Sequence, residues 1–477
     1  MGLTAELARF AANGQSLTLV DEAIRRVRNG FIDTVAVMLA GRNEPVVQVV
    51  LHALQGSSFP CPESTVLMGT DRRSALDAAL VNATAAQALD FDDVGLQGHP
   101  SAVLVPALLA EGERIHASGS ALVKAYVVGF ETWGELIGRD QDLHHEKGWH
   151  PTAVFGTLAV AAAVSSLRRL SPDLSGHALG IAASMAGGVV ANFGSMTKPF
   201  HAGRAAANGI EAVNWAAAGM TASLDALERS SGLLAALSPR GNVDLTGSAE
   251  GLGMRLRLLQ GGLNIKKYPV CFAAHRVIDG ALDLIAQNHV TADQVQQLQV
   301  TVGTAQANML RHHEPVDSLQ AKFSLEFALA AALVARRLGM DQMRPEFIDR
   351  PDVRDIFSKV NITTTDTVCK SEPTLALSDR LVMQLIDGRL LDSGEILFAR
   401  GTTAKPLTDH DLRTKFVECT RALHDIDGNM LYAKLSRLET LDDINKLSSR
   451  SSKFPGSPVS APSGPLCHSE SSWESER

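Results

Sequence analysis

Long stretches of this chain place apolar residues three and four apart, the spacing that gathers them on one face of a helix. Leu3–Gly41 reads as two helices. The second starts at Ser16-Leu17-Thr18, carries Ala23, Val27, Phe31, Ile32, Val35 and Leu39 on one face, and ends at Gly41. Asp33 falls on or beside that face and is expected to be a structural carboxylate. Glu44–Gly56 is a further helix, and Cys61–Thr70 is extended and ends in a turn. Ser74–Leu89 is helical and dense in small residues, which let helices approach closely, and it runs straight into Asp90-Phe91-Asp92-Asp93. Ser101–Glu111, Ser120–Arg139 and Ala153–Arg169 continue the helical pattern. Asp173–Asn192 is apolar nearly all round, which predicts a buried helix. A proline break at Lys198-Pro199-Phe200-His201 separates it from a helix over Gly203–Ala222.

The period then changes. After a helix from His275 to Ala286, Val295–Thr304 alternates and reads as a strand. Val360–Thr364 and Leu381–Ile386 are further strands, and Asp387-Gly388 turns the last into Arg389–Phe398 as a hairpin. Phe323–Arg337 is a helix between them. Leu407–Leu423 and Leu438–Leu447 are helical again. The pattern predicts a mainly α protein: a large all-α domain over residues 1–262 and a smaller α+β domain over 263–400. Residues 401–448 are C-terminal helices that pack back on the first domain, and the Ser/Pro-rich residues 449–477 are expected to be disordered.

Composition sharpens this. Apolar residues make up 45% of the 477, charged residues 20% and aromatics only 5%, so the core is aliphatic and suits helix-on-helix packing. A formal net charge of −8 argues against a protein that coats nucleic acid. No apolar run reaches the roughly 18 residues a membrane span needs, and the first residues are charged, so a cytoplasmic location is expected. The five cysteines form no CxxC pair and read as reduced thiols.

The candidate chemistry lies at breaks in the helical pattern. Lys198 and His201 make a cationic corner. Asp90, Asp92 and Asp93 repel one another, so at least one must have a raised pKa or a cation beside it. Gly95, Gly98 and Pro100 bend the loop that presents His99. His150 stands at a helix start, where the dipole favours a bound anion and lowers the imidazole pKa. His144-His145 lacks a partner at i+4, so no metal site is expected there.

Several segments together resemble the MmgE/PrpD family over about residues 3–448. They are FIDTVAVMLAG at 31–41, ALDFDD before GHPSA, GWHPTAVFGTLA at 148–159, TKPFHAGRAA at 197–206, KKYPVCFAAH at 266–275, AKFSLEFALA at 321–330 and GTTAKPLTDHDLRTKF at 401–416. The resemblance implies an all-α domain with a smaller α+β lid, a homodimer, no cofactor and a site between the domains. It implies a lyase, dehydratase or decarboxylase, acting by acid/base catalysis on a small di- or tricarboxylate such as 2-methylcitrate or cis-aconitate. An epimerase of a dicarboxylate such as iminodisuccinate is the alternative, and a catalytically silent carboxylate-binding member is a third. Asp90, His99, His150 and Lys198 would be catalytic. His99 and His150 would move protons, and Asp90 would orient a histidine. Lys198, its pKa lowered by burial, would stabilise an oxyanion or donate a proton. Lys266, Lys267, Arg204, His201, His275 and Cys271 would contact the anionic substrate. Cys271 stands where the family's decarboxylases carry histidine, and Phe327 where they carry tyrosine.

Overall fold

A computed structural model describes residues 2–56, 61–369 and 372–448. The expected tail at 449–477 lies outside the described residues. The protein is mainly α, with a small mixed sheet.

Two apolar cores organise the chain. The first is built from helices Leu3–Asn13, Asp21–Ala40, Ala75–Ala88, Pro100–Arg114, Gly119–Ile137, Pro151–Leu167, Pro172–Met185 and Thr197–Ala217. Helices Ala75–Ala88 and Pro151–Leu167 are buried almost all round, which suits their small side chains: alanine and glycine let neighbouring backbones close in. Gly209, for example, lies so close to Val160 that an added methyl group would meet its side chain at 2.5 Å. Leu412, Phe416 and Cys419 of helix Asp409–Thr420 join this first core, as do Leu431 and Leu435 of helix Gly428–Leu435.

The second core gathers Tyr268 to Leu385. Its sheet follows a two-residue ribbon in the first region, where β1 (Ser64–Thr65) pairs antiparallel with β2 (Arg72–Arg73). In the larger sheet, β3 (Val295–Gly303) lies between β4 (Val360–Thr365), which runs parallel to it, and β5 (Arg380–Leu385), which is antiparallel. β6 (Leu390–Asp392) closes the hairpin on β5. Val295, Leu298, Val300 and Val302 of β3 are buried, the alternation that the sequence shows. Helices His275–Asn288 and Leu325–Ala335 contribute to the same core.

Four expectations are corrected. The helix expected over Asp173–Asn192 ends at Met185, and the chain runs extended to a bridge between Val189 and Trp149. Glycine at 188 permits this path: a side chain there would meet Ala153 at 2.5 Å and the His201 ring at 3.2 Å. The proline at 199 does not separate two helices. It sits in the first turn of one helix, Thr197–Ala217, where a missing amide leaves no intrahelical bond unmade. The expected Arg389–Phe398 strand is broken into Leu390–Asp392 and a single bridge from Ile396 to Asp379, and Leu438–Leu447 forms two 3-10 turns instead of a helix. No helix among the described residues is long and apolar enough to cross a membrane.

Candidate active site

Helix Ala75–Ala88 ends two residues before Asp90, whose backbone is left-handed with φ +53°. That turn swings the chain sideways and places the Asp90 carboxylate between two ammonium groups. Lys198 Nζ donates to Oδ1 at 2.8 Å, and Lys266 Nζ lies 3.0 Å from Oδ2 while donating to the Asp90 carbonyl at 2.6 Å. Burial alone would raise this carboxyl, but Lys198, Lys266 and His99 hold it well below the usual range, so it is ionised. The same pairing corrects the expectation for Lys198. Burial pushes its ammonium down, the Asp90 carboxylate outweighs it, and the net shift is upward. Lys198 is therefore a fixed cation.

His99 directly precedes helix Pro100–Arg114, and its amide donates to Thr152 Oγ1 at 3.2 Å. Its Nδ1 is hydrogen-bonded to the Asp93 carbonyl at 3.1 Å and stands 2.8 Å from Asp92 Oδ2. Its Nε2 is 3.9 Å from Asp90 Oδ1. The carboxylate that abuts Nδ1 is thus Asp92, not Asp90 as the sequence suggested. Asp93 turns away. It accepts from the Ser101 amide at 3.2 Å and from the Ser101 hydroxyl, which in turn touches Tyr126 Oη at 2.7 Å. Burial pushes Asp93 up to about 8. The three crowded carboxyl groups therefore separate: Asp90 is matched by lysines, Asp92 by an imidazole, and Asp93 keeps its proton.

His150 caps helix Pro151–Leu167, and its amide donates to the Gly188 carbonyl at 3.0 Å. Its Nδ1 faces His201 Nδ1 at 3.0 Å, so one of these nitrogens donates and the other accepts. Burial, then the Lys198 charge, holds His150 well below its ordinary value, and both act the same way on His201. The pair is neutral near pH 7. Desolvation comes first among these causes, where the sequence had pointed to the helix dipole. The His99 and His150 rings meet edge-on at 6.5 Å. Phe193 packs against His150 at 4.8 Å, and Lys198 Nζ lies over the rings of Phe193 and Phe323 at 5.3 and 5.7 Å.

The remaining candidates divide. Cys271 is buried, and Asp90, Lys266 and Lys198 all act on its thiol, which burial keeps protonated. His275 is buried against Tyr268 and Phe272, its Nε2 is 3.3 Å from the Val270 carbonyl, and burial lowers it to about 3. Two residues are not brought to the cluster. Lys267 pairs with Asp411 at 2.9 Å, and Arg204 donates to Asn208 Oδ1 at 2.7 Å. Lys266 is thus turned inward to Asp90 and Lys267 outward to helix Asp409–Thr420. Phe327 is buried in the second core, edge-on to Phe347.

Residues 5–246 match the MmgE/PrpD N-terminal domain, and residues 268–429 match the MmgE/PrpD C-terminal domain. The chain belongs to the MmgE/PrpD family. Among its relatives is the cis-aconitate decarboxylase of Homo sapiens, 29% identical over 465 residues that cover 94% of each chain. That of Mus musculus is 28% identical over 446 residues, 90% of this chain and 89% of the relative. That of Aspergillus terreus is 27% identical over 393 residues, 76% and 79%.

In this MmgE/PrpD chain, sequence reasoning missed Phe193, His145 and Lys322 as neighbours of the cluster. Lys322 is buried, donates to the Ala88 carbonyl at 3.3 Å, and burial lowers its ammonium. It lies in the AKFSLEF segment, where a lysine stands between alanine and phenylalanine. Asp90, Asp92 and His99 each offer a donor atom within 4.8 Å of the others, a set that could hold a metal ion. Both Asp90 oxygens already face lysine ammoniums, however, so the positive charge such a set calls for is supplied by the chain itself.

Proposed function

We propose that this protein is a lyase that acts on a small di- or tricarboxylate by acid/base catalysis, a dehydratase or decarboxylase that needs no cofactor. The observation that carries this reading is the buried pairing of one carboxylate with two ammoniums beside two imidazoles. Lys198 has three N–H donors and spends one on Asp90, so it keeps donors for a substrate carboxylate. Its side chain is 12% exposed where that of Lys266 is 1% exposed, which makes Lys198 the cation a substrate meets. His99 Nε2 would take the proton at carbon next to a carboxylate and could return it to a leaving hydroxyl, which departs as water, or to the carbon after carbon dioxide is lost, while neutral His150 would hydrogen-bond the reacting groups. The negative charge that develops would rest on Lys198, in surroundings of low dielectric where such stabilisation is strong. Residues 263–400 would act as the lid that brings Lys266 and Cys271 to a site on the all-α domain. A homodimer and a cytoplasmic location fit the same family reading.

The perpendicular His99 and His150 rings also favour a second reading, an epimerase of a dicarboxylate with one imidazole on each face of the reacting carbon. Proton NMR of the purified protein in deuterium oxide with 2-methylcitrate, citrate, cis-aconitate and iminodisuccinate separates the two. Loss of water or carbon dioxide is the result expected. Deuterium entering a substrate without elimination would establish the epimerase. Binding without turnover of any substrate would leave a carboxylate-binding protein.

A further inference from the structure

We infer that Asp92 is the positioning residue of His99: its buried carboxylate holds the imidazole with Nδ1 protonated and balances the positive charge that forms when Nε2 takes a proton. The inference rests on the acid/base role proposed above for His99.

Asp92 is fully buried, and among the described residues neither of its oxygens has a well-aligned hydrogen-bond donor. A carboxylate in that condition is destabilising unless a positive group stands beside it. Among the described residues its one ion-pairing contact within 4 Å is His99 Nδ1, 2.8 Å from Oδ2. The Nδ1–H itself is aligned on the Asp93 carbonyl at 3.1 Å, so Asp92 sits beside that bond as a charge. Two acceptors at Nδ1 require the proton there, which leaves Nε2 bare on the side of Asp90 and Lys198.

The other groups around His99 do not take over this task. Asp90, on the same loop, is matched by Lys198 and Lys266. Asp93 carries its own proton and is turned to Ser101. His145 and His150, from the turn before helix Pro151–Leu167, are held neutral, and Lys198 from helix Thr197–Ala217 opposes a second positive charge. Asp92 is the negative charge left over for an imidazolium at His99.

The test is nitrogen-15 NMR of the histidine side chains, with His99 assigned by its loss in His99→Gln. In the wild type, neutral His99 should be the Nδ1–H tautomer; an Nε2–H tautomer would overturn the inference without any variant. In Asp92→Asn, which preserves shape, His99 should shift from the Nδ1–H tautomer towards Nε2–H, and an unchanged tautomer ratio would overturn the inference. With any substrate the protein turns over, Asp92→Asn should lose about 10²–10⁴-fold in kcat with KM little changed. In the His99→Gln background the same substitution should cost nothing further, and an undiminished loss there would mean that Asp92 acts on something other than His99. The NMR readouts hold whether or not a substrate is found, so failure of the dyad and failure of the lyase reading are distinguishable.

Discussion

Two buried aspartates in this protein face lysines, and they are built for different ends. Asp90 has two ammoniums on one carboxylate, is held ionised, and lies with Lys198 at a partly open edge. Asp33 has one, Lys415 at 2.6 Å, and is sealed in the first core. Lys415 is also shared: it donates to the carbonyls of Phe91 at 2.7 Å and Lys266 at 2.8 Å and lies 3.9 Å from the centre of the Phe91 ring. With a single shared cation, burial wins over attraction and Asp33 is raised to about 6. The difference teaches how the chain spends its charges. Lys415 of the inner pair fastens the backbone at Phe91, next to Asp90, and at Lys266, and the outer group, with one more ammonium than its carboxylate balances, would be able to meet an anion.

The largest effect should come from breaking the inner pair. Lys415→Met leaves Asp33 buried without a partner and should lower stability by about 3–5 kcal/mol in urea denaturation. Replacing both, Asp33→Leu with Lys415→Met, should recover most of that loss, because an apolar pair of similar volume needs no charge balance. Next is Lys198→Ala, which should lower turnover by about 10²–10³-fold, the usual effect of losing one donor to a developing anion. Its denaturation midpoint should fall less than that of Lys415→Met, since Asp90 keeps Lys266. A loss of stability as large as at Lys415 would erase the contrast.

A smaller effect separates the neighbouring carboxyl by pH. Asp93 is raised from 3.8 to about 8, so folding favours its protonated form. The stability it contributes is complete below pH 3.8 and is lost as the pH climbs through about 8. Asp93→Asn removes this titration, and between those limits the variant should lose less stability with rising pH than the wild type. A parallel decline in both proteins would show that Asp93 is not the group concerned. The smallest effect is expected at Lys267→Ala. Its pair with Asp411 is about one-third exposed, so stability should change by about 1 kcal/mol or less and turnover hardly at all.

Much of this was legible in the residues, and the misses have physical reasons. Helical periodicity located the helices of the first core, and alternation located β3, because each has one face or both faces buried; β4 and β5 read as strands too, although β4 has no fully buried residue. The segment after Met185 misled because an apolar run suits an extended strand under a site as well as a helix, and only Gly188 marks the close approach. Lys198, His99, His150 and Asp90 could be singled out as polar groups at helix ends. Their partners could not. Whether Asp90 or Asp92 faces His99 depends on the left-handed turn at Asp90, an unusual conformation for a residue other than glycine. Whether Lys266 or Lys267 points inward depends on register. The pairing of Asp33 with Lys415 spans almost the whole chain, and no local pattern announces it.

Lys198 should offer a carboxylate substrate the positive charge that Asp90, shared with Lys266, leaves unbalanced. The most direct measurement is calorimetric titration of propane-1,2,3-tricarboxylate, a saturated mimic, into the wild type, Lys198→Ala and Lys267→Ala at low salt. Binding is expected to the wild type and to Lys267→Ala, with affinity for Lys198→Ala at least about tenfold weaker, the loss of a charge-assisted hydrogen bond. Equal affinity in Lys198→Ala would contradict this, as would a loss at Lys267 in place of Lys198.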